Sequence, residues 1–174
     1  MPFKWSEVEE SGSTGSRTLR HTSNETTTGE RVDFTGEFRH SIDAKGRLIV
    51  PSSLRERLGT NVRLSRWLDN CIAVWSDEGW GRIVAQLQEQ ERSKANARRF
   101  LRQFTSSTSH EEIDKQGRVS VSQKLRDVAG IDKDTVVIGA LDHVELWDPR
   151  RWAEHEADTA DGESFDDLAS GLNF

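Results

Sequence analysis

Asp43 and Arg47 stand four positions apart around Gly46, and the same trio returns as Asp114, Gly117 and Arg118. A carboxylate and a guanidinium at this spacing can lock a tight turn. The glycine supplies a positive φ, the aspartate accepts from turn N–H groups, and the arginine folds back as a two-pronged donor. The same guanidinium can instead project outward to a phosphate or a guanine edge, as can Lys45 beside it. Asp43, Gly46, Asp114 and Gly117 therefore read as turn-forming residues, while both roles stay open for Arg47 and Arg118.

The duplication is domain-sized, since the interval from Asp43 to Asp114 is that of a small domain and equals the interval from Arg47 to Arg118. Leu48, Val50, Leu54-Arg55 and Gly59 recur at the same interval as Val119, Val121, Leu125-Arg126 and Gly130. Trp75 and Trp80 recur as Trp147 and Trp152 at an interval longer by one, which places a single insertion in a loop. Two copies of one module sharing a core are expected. Matched positions differ in charge: Arg39, His40 and Ser41 become His110, Glu111 and Glu112. From Gly36 to Gly59 the formal charge sums to +2, and from Ser107 to Gly130 it cancels. A polyanion should meet the first copy, leaving the second to packing.

Other chemistry finds no constellation. His21, His40, His110, His143 and His155 show no metal-ligand spacing with one another or with Cys71. Phosphate-binding glycine loops, dinucleotide fingerprints and nucleophile elbows are missing, and Asp142-His143 is a common turn pair. Hence no catalytic residue, metal, cofactor or small-molecule substrate is expected. The lone cysteine and the lack of an apolar run near the roughly 18 residues of a bilayer span suit a cytoplasmic protein. A net charge of −6 excludes a whole-surface polyanion binder, so any nucleic-acid contact must be local or built by repetition.

The elements that would position the motif follow from period and punctuation. Residues 1–34, rich in Ser, Thr, Gly and charge, read as a disordered arm. The first module spans 35–81. Phe38, His40 and Ile42 alternate with polar residues into the turn, and Leu48 and Val50 alternate out of it, which predicts a β-hairpin. Pro51 ends the strand, Ser52 or Ser53 caps a short helix that stops at Gly59, and strands near 62–67 and 71–75 turn at Asp69-Asn70. A helix starts at Asp77 and runs to Gln90. Connecting helices fill 82–106, the second carrying Arg98, Arg99 and Arg102 opposite Phe100, Leu101 and Phe104. The second module, 107–153, repeats the pattern with strands around 135–138 and 144–147, and ends in a helix opened by Asp148-Pro149. Residues 154–174 hold seven acidic residues and no Lys or Arg, an acidic disordered tail. Each tryptophan pair should staple a strand to its helix, and Trp67, unmatched in the repeat, is a candidate interface residue.

The doubled Asp-x-x-Gly-Arg, the apolar strand closed by Pro51 and the helix Ser-Leu-Arg-Glu-Arg-Leu-Gly resemble the MraZ family of bacterial transcriptional regulators, over about Thr35 to Glu154. The resemblance implies an α+β fold of two tandem pseudo-symmetric AbrB-like swapped-hairpin β-barrel modules with connecting helices. It implies a homo-oligomeric ring, nucleoid-associated, that binds double-stranded DNA at promoter direct repeats. The regulated genes would be the division and cell-wall cluster containing its own gene, with repression as the expected effect. By the same resemblance Arg39, Lys45 and Arg47 contact DNA, with Arg118 as the duplicated counterpart. Ser122, standing where the first module has Pro51, should loosen the second strand's end, and the arm over 1–34 precedes the point where family chains usually begin. The alternative is an oligomeric interaction module, antitoxin-like or a scaffold, that binds no DNA.

Overall fold

A computed structural model of the chain describes residues 33–89 and 94–160, with side chains through 157. Most of the expected arm and the tail from residue 161 lie outside the described residues. In chain order the elements are β1 (Glu37–Ser41), β2 (Arg47–Ile49), α1 (Ser52–Leu58), β3 (Asn61–Arg66), β4 (Ile72–Ser76), α2 (Asp77–Glu89) and α3 (Ala95–Ser107). The second repeat gives β5 (Ser109–Glu112), β6 (Arg118–Ser120), α4 (Gln123–Ala129), β7 (Asp134–Gly139), β8 (Val144–Trp147) and α5 (Pro149–Ala160).

The strands form an antiparallel six-stranded sheet in the order β1-β7-β8-β4-β3-β5 and a separate β2-β6 pair. The repeats thus exchange strands: β1 pairs with β7, β5 with β3 and β2 with β6. Leu48 faces Val119, its own counterpart in the second repeat, and Ala73 likewise faces its counterpart Glu145. A position that faces its own repeat lies on a pseudo-two-fold axis, and here both pairs do.

This exchange corrects the expected hairpin. β1 and β2, on either side of the motif turn, lie in different sheets, joined next to the turn by the Ile42–Leu48 bridge and the Asp43 N–H bond to the Arg47 carbonyl. Alternation along each strand reported which faces are buried, but it carried no information about the partner. The single insertion resolves into two changes of opposite sign. The connection from α4 to β7 is longer than that from α1 to β3, whereas the connection from β7 to β8 is shorter than that from β3 to β4.

The main core draws on both repeats, with Leu48, Leu54, Leu64 and Ile72 beside Val119, Val121, Leu125 and Leu146. Alternate residues of β4 serve opposite faces of the sheet: Ile72 and Val74 join this core, while Ala73 and Trp75 pack with Phe104 of α3. Burial on both faces is why β4 reads as a continuous apolar run.

Local expectations hold in part. Asp148 Oδ1 accepts from the backbone N–H of Arg150 and Arg151, each at 3.1 Å, as an N-cap before Pro149. In α1 the cap position is Pro51 without a side-chain bond, so neither Ser52 nor Ser53 caps it. Ser122 does not loosen its strand. It caps α4, its hydroxyl accepting from the Leu125 N–H. Phe34 is fully buried and bridges Leu141, so the fold begins within the expected arm; at the other end α5 continues to Ala160, past the expected start of the tail at Glu154.

The tryptophans pack as expected, with one exception. Trp75 is buried, its indole N–H donating to Ser65 Oγ at 3.0 Å, and Trp147 packs on Trp152 of α5 with ring centres 5.5 Å apart. Trp80 reaches its strand through Phe104, on which it stacks at 5.3 Å. Trp67, half-buried, packs within the chain, edge-on to Trp75 at 5.0 Å and against Phe100 and Phe104.

Candidate nucleic-acid interface

Both motif turns are locked by their own aspartate. Gly46, at φ 76°, donates its N–H to the Asp43 carbonyl at 2.9 Å, and Asp43 Oδ1 accepts from the N–H groups of Lys45 and Arg47 at 2.9 Å each. Oδ2 takes Nε and Nη2 of Arg47 at 2.9 and 2.7 Å. These bonds, the Arg47 side chain's first, hold the Asp43 carboxyl down at about 2. The second turn repeats the geometry. Asp114 accepts from the Gln116 and Arg118 N–H groups at 2.9 Å and from Arg118 Nε at 2.8 Å, and its carboxyl is likewise lowered, foremost by the Arg118 N–H.

The turns are also fixed to the opposite repeat. Val121 N–H donates to the Gly46 carbonyl and Val50 N–H to the Gly117 carbonyl, both at 2.8 Å. They therefore stand at the two ends of the β2·β6 ladder. With its backbone pinned from both sides, the first turn projects the exposed Lys45 side chain, whose ammonium has no partner among the described residues. Arg47, half-buried, spends two donors on Asp43.

Exchange brings in two residues that sequence reasoning counted but placed on the wrong turn. Arg126 of α4 lies over Gly46, its Nη2 3.4 Å from where a Cβ on that glycine would sit. Arg55 of α1 lies over Gly117 still more closely, its guanidinium filling the space that a Cβ on that glycine would need. The recurrence of Leu54-Arg55 as Leu125-Arg126 was the available signal. Residues 52–59 and 122–130 each carry a formal charge of +1, so swapping these segments leaves +2 around the first turn and zero around the second. The second turn's cleft also holds Glu56 and Glu112, where the first has Asp127 and Ser41 at the matched positions.

Arg39 lies on β1, at one edge of the six-stranded sheet rather than in the turn, with its side chain 74% exposed and 3.4 Å from Glu37. The matched residues His110, Glu111 and Glu112 lie on β5 at the opposite edge. Arg39 and His40 share a shallow cleft with Asp134 and Pro149.

Asp142-His143 does not form half of a catalytic triad. His143 is buried, stacked on Trp75 at 4.5 Å, with Asp142 2.6 Å from Nδ1 and Glu145 3.1 Å from Nε2. Carboxylates occupy both ring nitrogens, which leaves neither to act as a base. Burial opposes the charged imidazolium, but the bonds to Glu145 and Asp142 outweigh it and raise the pKa. No group of metal-ligating side chains occurs among the described residues.

The description "MraZ protein", further characterised as antitoxin-like, matches residues 34–103 and again residues 104–173. The chain belongs to the MraZ family. The Transcriptional regulator MraZ of Lactiplantibacillus plantarum is 42% identical over 139 residues, which is 80% of this chain and 97% of the relative. The protein of that name from Ligilactobacillus salivarius is 43% identical over 80% of this chain and 96% of its own length. The one from Acetivibrio thermocellus is 42% identical over 72% and 87%. MraZ is thus a family of transcriptional regulators, not of enzymes. Its two matched segments correspond to the two copies of the turn motif.

Proposed function

We propose that this chain is a sequence-specific, DNA-binding transcriptional regulator that contacts promoter direct repeats through the basic turn of its first repeat. The observation that carries this reading is the first turn itself. Its backbone is pinned by Asp43 and Val121, it presents the exposed Lys45 beside Arg47, and it bears more positive charge than its duplicate. A rigid cationic loop loses little entropy on meeting a phosphate backbone, and a bidentate arginine can read guanine in the major groove. Arg39 would add a contact from the sheet edge, and Arg118 is the duplicated counterpart of Arg47. Repression of the division and cell-wall cluster, its own gene included, from a nucleoid-associated cytoplasmic pool is the regulatory role carried by the family resemblance.

The strand exchange supports reading each unit as an AbrB-like swapped hairpin, two of which would close into barrels. The sheet's unlike edges support a ring. β1 offers Arg39 and β5 offers Glu111 and Glu112, and repeated contact between unlike ends generates a closed ring or an open filament. In a ring, one basic turn per subunit meets periodic DNA sites as a multivalent grip, although each chain carries −6.

The test is a mobility-shift titration on DNA upstream of the chain's own gene at two salt concentrations. A shift that weakens steeply with salt is expected, because released counterions supply much of the affinity. Failure to shift at low salt would favour the alternative, an antitoxin-like or scaffold module that binds no DNA.

A further inference from the structure

We infer that the phosphate-binding site at the first turn is composite, and that Arg126 of the second repeat is its third cation. The inference rests on the DNA-binding reading above and deepens it. A site built from one repeat would contain Lys45 and Arg47 alone. Strand exchange instead lays α4 over Gly46, so the Arg126 guanidinium rests against the turn backbone.

The guanidinium is held in place. Arg126 Nε donates to the Val121 carbonyl at 3.2 Å, and Nη2 donates to Gln123 Oε1. Gln123 is oriented in turn, its Nε2 donating to Asp127 Oδ1 at 2.6 Å. Val121 is also the residue whose N–H holds the Gly46 carbonyl, so guanidinium and turn share one anchor. Nη1 has no partner among the described residues and can donate to a phosphate oxygen. A phosphodiester lying across the turn would meet the ammonium of Lys45 and the fork of Arg126 together.

The other turn lacks this arrangement. Arg55 lies over Gly117, but Ser52 occupies the position matched to Gln123, and no partner holds the Arg55 guanidinium among the described residues. Arg47 and Arg118 are held alike in the two turns, so what sets the first turn apart, among the described residues, is an arginine from the opposite repeat's helix held by a neighbouring side chain. A side chain ordered before binding forfeits less entropy when it binds.

The test is fluorescence anisotropy of the full chain with a labelled duplex from upstream of its own gene, over a salt series, using Arg126→Gln, Gln123→Ala, Arg55→Gln and Lys45→Ala. Arg126→Gln should weaken low-salt binding about tenfold and lower the salt slope by about one per engaged subunit. Gln123→Ala frees the guanidinium but keeps its charge, so affinity should fall with the slope unchanged. Should Arg126→Gln lose its circular-dichroism signature of folding, Gln123→Ala decides alone. Arg55→Gln should cost less than Arg126→Gln, and an equal cost overturns the assignment to the first turn. Wild-type binding by Arg126→Gln alongside impaired Lys45→Ala overturns the composite site and leaves the DNA-binding reading standing. If the unaltered chain binds no duplex at low salt, both fall.

Discussion

Lys45→Ala, Arg47→Ala and Asp43→Asn separate charge from geometry at the first turn. Lys45 contributes a free ammonium, while its backbone N–H, which bonds Asp43 Oδ1, survives the change to alanine. Lys45→Ala should therefore remove one phosphate contact and leave the turn folded. With a salt slope of about 0.9 per contact, one lost contact accounts for about 3.5-fold in affinity over a fourfold rise in salt. In an oligomer that factor is raised to the number of engaged subunits. Arg47→Ala removes the same unit of charge but also strips Oδ2 of both its donors, so it should cost affinity and loosen the turn together. Asp43→Asn keeps an oxygen for the two turn N–H groups while deleting a negative charge at the DNA face. It should strengthen non-specific binding and weaken discrimination between the promoter duplex and a scrambled one, since Arg47 is then no longer aimed. Anisotropy titrations on both duplexes, with oligomer mass measured by light scattering, give all three answers. If Lys45→Ala retains both the wild-type affinity and the wild-type salt slope in an intact oligomer, the first turn is not where the chain meets DNA.

Further outcomes follow from the packing and from the perturbed ionisable groups. Leu48→Ala, at a position 1% exposed on the pseudo-two-fold axis, should destabilise the chain by about 3–5 kcal/mol in urea unfolding. Because its core is shared, both repeats should unfold in one transition, and two separate transitions would contradict the shared core. The buried His143 has a pKa raised above 6.5, so its ion pairs contribute in full below pH 6.5 and are lost as pH rises through the raised value. Melting temperature should fall over that range and His143→Asn should flatten the fall, whereas an unchanged pH profile in the variant would show that the cluster is not the sensor. Asp43 has the opposite sign. Its contribution is present above about pH 3.8 and is lost as pH falls towards about 2.

Secondary structure and turn chemistry were largely legible in the sequence because they are local. Asp148-Pro149 announced α5, Asp69-Asn70 announced the β3–β4 turn, and the Asp-x-x-Gly-Arg spacing announced a locked turn whose bonds the structure contains in both copies. Pairing was not legible. The alternation of β1 and β2 is compatible with a hairpin between them or with two ladders to the other repeat, and only the long-range register separates these. For the same reason the packing of Trp67 was not legible. Its partners Phe100 and Phe104 arrive on α3, after both β4 and α2 have intervened in the chain. Arg126 was missed because the sequence places it in the second repeat, while the fold places it on the first repeat's turn.

Exchange of this kind changes what a comparison between duplicated halves can establish. Differences at matched positions do not describe two modules; they describe the two ends of one ladder, each assembled from both repeats. The charge contrast survives because residues 52–59 and 122–130 carry equal net charge, so what distinguishes the ends comes from the strands and turns: Ser41 against Glu112, and His40 against Glu111. What the helices add is order. Gln123 fixes Arg126 at one end, while at the other Ser52 stands at the matched position and no partner among the described residues holds Arg55. Electrostatics and pre-organisation thus select the same turn through independent residues. An anion drawn to the more positive end also finds there the arginine already held in place.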